Sequence, residues 1–231
     1  MRMTIGIMQP YFMPYIGYWQ LMAAADVYVV YDDVNYIKGG WVARNRILMG
    51  GKPYTFTITL NGASPYKLFK EITIRDDFKK FMRTLNCCYA HAPYYKETMA
   101  LLEDICSYQE RSLGVFMRHS FQVILDYLGV KTKLLLSSEL KKNSSLKGGE
   151  KVKDICRELA ADIYLNAIGG QGLYDKSDFQ REGIILNFLQ TNDYCYDQGS
   201  ELFVKDLSII DVLMHNGKEG TQKLLKEYTL V

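Results

Sequence analysis

MTIGIMQPYFMPYIGYWQLMAAADVYVVYDD, residues 3–33, is the stretch that decides the fold. Residues 3–8 form a short apolar run and read as a buried strand. Residues 9–14 carry Pro10 and Pro14 and read as a turn. Residues 17–25 place apolar side chains on a helical period and end in three alanines. Residues 27–31 are β-branched and aromatic, a second buried strand that runs into Asp32 and Asp33. Strand, helix and strand within about thirty residues is the size of a βαβ unit, whose strands are parallel.

Outward from this unit the pattern alternates. Residues 41–48 carry Arg44, Asn45 and Arg46 and stop at Gly50-Gly51. Residues 54–60 and 71–75 read as strands, and residues 76–90, 93–106 and 111–128 as three helices, the last closed by Gly129. Then come a strand at 133–137, a polar loop at 141–149, a helix at 150–160, a strand at 162–166, a Gly-rich loop at 167–172 and a strand at 183–188. Residues 208–215 and 218–228 read as a helical C-terminus. The fold class expected is α/β: one domain over residues 1–231 with a mostly parallel, doubly wound sheet. Its core segments are about 1–75 and 130–205, with a helical insertion or subdomain at about 76–128 and a helical tail at about 207–229.

Composition narrows the class. The 231 residues are enough to bury a core without staples, and 48% of them are hydrophobic. A net charge of +2 gives no basic face for nucleic acid. Five cysteines, an odd number without a C-x-x-C pair, argue for free thiols and hence a cytoplasmic setting. His91, His119 and His215 stand far apart, so no metal site is expected. The apolar run at residues 5–8 is too short for a signal peptide, and no stretch reaches the ~18 apolar residues of a membrane span.

In open parallel sheets a ligand binds beyond the carboxyl ends of the strands, where the strand order reverses. The residues at those ends are Gln9 and Pro10, Asp32 and Asp33, Ser137 and Ser138, and Asn166 with Gly169 and Gly170. At the first turn, Tyr15, Gly17 and Tyr18 open a helix whose free N–H groups suit a phosphate or carboxylate, although Gly17 also suits close helix–strand packing. Lys38, Arg44 and Arg46, with Asn45 between the arginines, offer positive charge nearby. Asp32 and Asp33 have two candidate uses: to hold a cation or ribose hydroxyls, or to pair with Arg44 and Arg46. Lys147 before Gly148-Gly149 is a second anion cradle, although no Walker A order is present.

Residues 7–18, IMQPYFMPYIGY, resemble the opening signature of the WbqC-like family. Residues 31–38 and 41–47 resemble its next block, and residues 162–166 and 207–211 later ones. Members occur beside enzymes of bacterial surface-polysaccharide (O-antigen, capsule) biosynthesis, so the resemblance implies that pathway. The turn is distantly similar to the H-x-G-H turn of nucleotidylyltransferases and pantothenate synthetase, which implies a HUP/Rossmann-like sheet. Here Tyr15 and Tyr18 stand where those enzymes have histidines, and only Gly17 matches. A neutral Tyr cannot supply an imidazolium's charge, which leaves Arg44 or Arg46 to supply it.

Besides a structural role in which the aromatic N-terminal block is only core, with Tyr15 and Tyr18 buried and their hydroxyls bonded inside, two functions compete. One is a transferase acting on a nucleotide-linked or amino-sugar substrate, by acyl, aminoacyl or nucleotidyl transfer. Asp33, Tyr18 and Arg44 are its candidate catalytic residues, and Gln9, Pro10, Tyr15, Gly17, Asp32, Lys38, Asn45, Arg46, Ser137, Lys147, Asn166, Gly169 and Gly170 its candidate substrate contacts. The other is a catalytically silent binding or assembly protein of the same pathway. A nucleotide, with or without Mg2+, is the candidate cofactor, and a small molecule the expected partner. Homo-oligomerisation is left open.

Overall fold

The computed structural model describes residues 2–231. The central sheet has six strands in the order β10-β9-β8-β1-β2-β7. They are β1 (Thr4–Met8), β2 (Val27–Val30), β7 (Lys133–Leu136), β8 (Ile163–Ala167), β9 (Ile185–Thr191) and β10 (Tyr228–Leu230). All neighbours are parallel except β10, which runs antiparallel to β9 from Tyr228↔Thr191 to Leu230↔Leu189. From β1 the chain steps outward to β2 and β7, then returns to lay β8 on the other side of β1. The strand order therefore reverses between β1 and β8.

Every residue of β2 is buried because both faces of the sheet are covered. Alternate residues feed two cores. On one face Tyr28, Val30, Leu134, Leu136, Leu165 and Leu189 pack with α1 (Ile16–Ala23), α4 (Leu113–Leu128) and α7 (Ile209–Leu224). On the other, Ile5, Ile7, Val27, Val29, Tyr164, Leu186 and Phe188 pack with α5 (Gly148–Glu158) and with Phe179 of α6 (Lys176–Gln180). The helices α2 (Lys79–Tyr89) and α3 (Tyr95–Ser107) join the first of these cores. No helix is long and apolar enough to cross a membrane among the described residues.

Outside the sheet, β3 (Arg44–Met49) and β4 (Lys52–Thr57) form a hairpin. Its two-residue turn is Gly50-Gly51, at φ 56° and 73°, the positive angles that a tight hairpin requires. A smaller ribbon pairs β5 (Leu60–Asn61) with β6 (Thr73–Ile74). The helical tail breaks at Gly217, φ 56°, between the two segments read from the sequence. A Cβ there would meet the Tyr94 ring at 2.4 Å. Residues 228–230, expected as helix end and tail, instead close the open edge of β9, whose backbone groups need partners.

Between β1 and α1 the turn is tied down by side chains. Tyr18 Oη donates to the Gln9 carbonyl at 2.7 Å and Trp19 Nε1 to that of Pro14 at 3.1 Å. The Met13 carbonyl accepts from Asn45 Nδ2 and Ser208 Oγ, both at 2.7 Å. Met13 itself sits at φ 49°, a conformation that a non-glycine residue keeps only when its surroundings enforce it.

Gly17 serves packing here. A Cβ at this position would lie 2.6 Å from Thr191 Oγ1 and 2.6 Å from the Tyr15 ring. Gly17→Ala is expected to destabilise the protein by about 1–3 kcal/mol through overpacking. A lower urea midpoint with unchanged slope is the signature; an unchanged midpoint would show that α1 and β9 have room to part.

Candidate functional site

A cleft of about 490 Å³ opens at the carboxyl edge of the sheet, where the strand order reverses. Tyr11, Pro14 and Tyr15 reach it from the β1–α1 turn, and Ile168 from the end of β8. Leu189, Gln190 and Thr191 come from the end of β9, Trp41, Asn45 and Arg46 from the β3 segment, and Asp206 from the approach to α7.

Arg44 and Arg46 are two apart on β3 and so project to the same face. Their guanidinium carbons lie 5.3 and 5.5 Å from the centre of the Trp41 ring, within cation–π range. Arg44 also donates to the Gly39 carbonyl, and Arg46 to the Asp206 carbonyl at 3.4 Å. Both Nε atoms are buried without a hydrogen-bond partner. Among the described residues neither guanidinium forms an ion pair. Trp41 keeps 42% of its surface exposed, unusual for an indole. Burial raises the pKa of Tyr11. Burial, then the charges of Asp206 and Tyr11, raises that of Tyr15, so both phenols remain protonated donors at neutral pH.

A second polar cluster lies at the ends of β2 and β7. Asp33 Oδ2 meets Lys142 Nζ at 2.9 Å and Lys151 Nζ at 3.0 Å, and Oδ1 accepts from Ser137 Oγ at 2.7 Å. The three charged side chains are only 11%, 4% and 8% exposed. Burial works to raise the Asp33 pKa, but the bonds from Lys142, Ser137 and Lys151 outweigh it and hold the carboxyl below its usual value. Asp32 is 1% exposed and accepts from Ser138 N at 2.8 Å and Ser138 Oγ at 2.6 Å. Burial raises its pKa despite those bonds.

The expected site residues therefore divide. Tyr15, Asn45 and Arg46 line the cleft, and Arg44 flanks it through Trp41. Asn45 is 6% exposed, and its amide supports the Met13 carbonyl. Tyr18 must be corrected: it is 1% exposed with its hydroxyl bonded inside, and burial lifts its pKa far above the usual phenol value. A proton-transfer role has no access to a ligand there. Asp32 and Asp33 pair with neither arginine; Ser138 and two lysines hold them, and neither lines the cleft. Gln9 lends its carbonyl to Tyr18, and Pro10 is buried. Ser137 is fully buried beneath Asp33. Lys38 is exposed, and Lys147 is the exposed N-cap of α5. Asn166 is 7% exposed and accepts from Ala167 N; a Cβ on Gly170 would meet its amide at 2.7 Å, while Gly169 has open space. These two belong to the packing of the β8 end.

Tyr11, Trp41 and Asp206 were missed. The signals were an aromatic beside Arg44-Asn45-Arg46 and an acid directly before residues 207–211.

Asp33→Ala strands two buried ammonium groups and is expected to cost about 3–5 kcal/mol. Because the folded pKa of Asp33 lies below its unfolded value of roughly 3.9, its contribution is present above that pH. It is lost as pH falls through the folded value. Asp32, raised, works in the opposite sense, so the wild type is to be compared with Asp33→Asn. Their difference in unfolding free energy should shrink below about pH 4. A gap constant down to pH 2 would remove the ion cluster as its cause.

Comparison with known proteins gives the chain its kin. It is 27% identical over 227 residues to Uncharacterized protein Rv1507c of Mycobacterium tuberculosis (strain ATCC 25618 / H37Rv), covering 95% of this chain and 96% of that one. No solved structure matches. The model of the WbqC-like protein family matches residues 9–223, a span that takes in the first turn, both arginines, Trp41 and Asp206. The chain belongs to the WbqC-like protein family.

Proposed function

We propose that the cleft binds an anionic small molecule, a nucleotide or sugar nucleotide, and that the protein is a transferase of bacterial surface-polysaccharide biosynthesis. One observation carries the binding step: two guanidiniums with buried, unpartnered Nε atoms flank an exposed indole where the strand order reverses. Arginine presents donors in a planar fork that matches a phosphate or carboxylate, and no protein carboxylate occupies these two. An indole offers a stacking face to a base or sugar ring. The parallel order on both sides of β1 supports a doubly wound, HUP/Rossmann-like reading of the sheet. The pathway rests on the company that family members keep.

In this reading Arg46 and Arg44 hold the anion, Trp41 packs against the ring, and Tyr11 and Tyr15 donate hydrogen bonds. The transfer step has no support from Tyr18 or Asp33, which the fold commits elsewhere. That commitment favours a second reading, a catalytically silent binding protein of the same pathway.

Thermal shift and titration calorimetry with uridine, guanosine and thymidine diphosphates and their sugar conjugates test the binding step. At least one is expected to stabilise the protein, and Arg46→Ala to weaken it about 10–100-fold, as loss of a charge-assisted bond does. The melting temperature without ligand should fall by only about 2–4 °C, the scale of one lost hydrogen bond. Absence of any stabilisation, or equal affinity in Arg46→Ala, overturns the proposal. Binding without release of a transferred group selects the silent reading.

A further inference from the structure

The cleft holds charges of both signs that do not neutralise one another. Arg46 reaches Asp206 through the main-chain carbonyl, at 3.4 Å. The exposed Asp206 carboxylate makes no hydrogen bond or ion pair among the described residues, although Arg46 lines the same opening. Its neighbour Lys205 is taken by Asp193 at 2.5 Å. Asp206 is held at φ 56°, a left-handed conformation that Asp adopts more readily than most non-glycine residues. The hold comes from both sides: Arg46 grips the Asp206 carbonyl, and Ser208 N donates to the Arg46 carbonyl at 2.8 Å. Two phenols register the carboxylate. After burial, its charge is the largest influence raising the pKa of Tyr15 and of Tyr194, the latter to about 12.

A purely anionic ligand on Arg46 would face repulsion from Asp206. A ligand that also carries an ammonium group would satisfy both walls. We infer that the cleft's ligand bears a free, protonated amine besides its anionic group, and that Asp206 is the residue that selects it. This rests on the reading that the cleft binds an anionic small molecule. An acylated nitrogen carries no charge and would gain nothing from Asp206, so the preferred ligand is the unacylated amino compound.

The test is titration calorimetry of the full chain, with EDTA present so that no metal ion occupies the carboxylate. The probes are uridine diphosphate, its glucosamine conjugate and its N-acetylglucosamine conjugate. The free amine is expected to bind about tenfold tighter than its acetylated form, the scale of one hydrogen bond to a charged group. Asp206→Asn preserves shape and tolerates the left-handed backbone. It is expected to abolish the tenfold preference while uridine diphosphate binds as well or better. Raising the pH through the amine's own pKa should erase the preference in the wild type, an arm that needs no variant. If uridine diphosphate binds but the two conjugates bind equally, or if the preference survives Asp206→Asn, the inference falls and the anion site stands. If none of the three probes binds, the anion site falls and this inference falls with it.

Discussion

Buried backbone carbonyls must find donors, and the segment from Gln9 to Pro14 holds several in a stretch with no regular structure of its own. An unsatisfied buried carbonyl costs about 1–3 kcal/mol, so this turn is stable only with its donors in place. Tyr18 and Trp19 come from α1, Asn45 from β3, and Ser208 with the Ile209 amide from the start of α7. Satisfying the turn therefore fixes the positions of three elements at once. The cleft is the space left between them, and its walls are as rigid as those hydrogen bonds.

This constraint explains a contrast at the carboxyl edge of the sheet. Near β2 and β7 the acidic residues are spent: Asp33 on Lys142 and Lys151, Asp32 on Ser138. Charges this deeply buried are tolerable only when paired. Near β1, β8 and β9 the opposite holds. Arg44 and Arg46 are half-buried and donate to main-chain carbonyls, and the exposed Asp206 carboxylate has no partner among the described residues, so their charges stay available. The first cluster anchors the loop before α5; the second can answer to a ligand.

Much of the fold could be read because it follows local rules. Residues 5–8 and 27–30 announce strands by unbroken apolar, β-branched runs, Gly129 ends α4 at φ 68°, and Gly217 breaks the last helix where the pattern faltered. The β10 strand was illegible, since its conformation comes from the open edge of β9 and not from its own residues. The Arg44-Asn45-Arg46 alternation hid β3 for the reverse reason: its inward residue is a polar amide that a turn carbonyl needs. The candidate site was legible only as a set of polar residues at strand ends. Tyr15, Asn45 and Arg46 did gather at one cleft, whereas Tyr18 left for the core.

By itself the sequence determined most of the strands and helices, β3 and β10 apart, because periodicity, prolines and glycines act within a few residues of themselves. Which polar groups remain free was decided by the tertiary structure alone. Lys151 reaches Asp33 across 118 residues, and Ser138 reaches Asp32 across 106. Pairings of that span are set by how the sheet and helices close, and a residue's chemistry does not reveal whether a distant partner has claimed it.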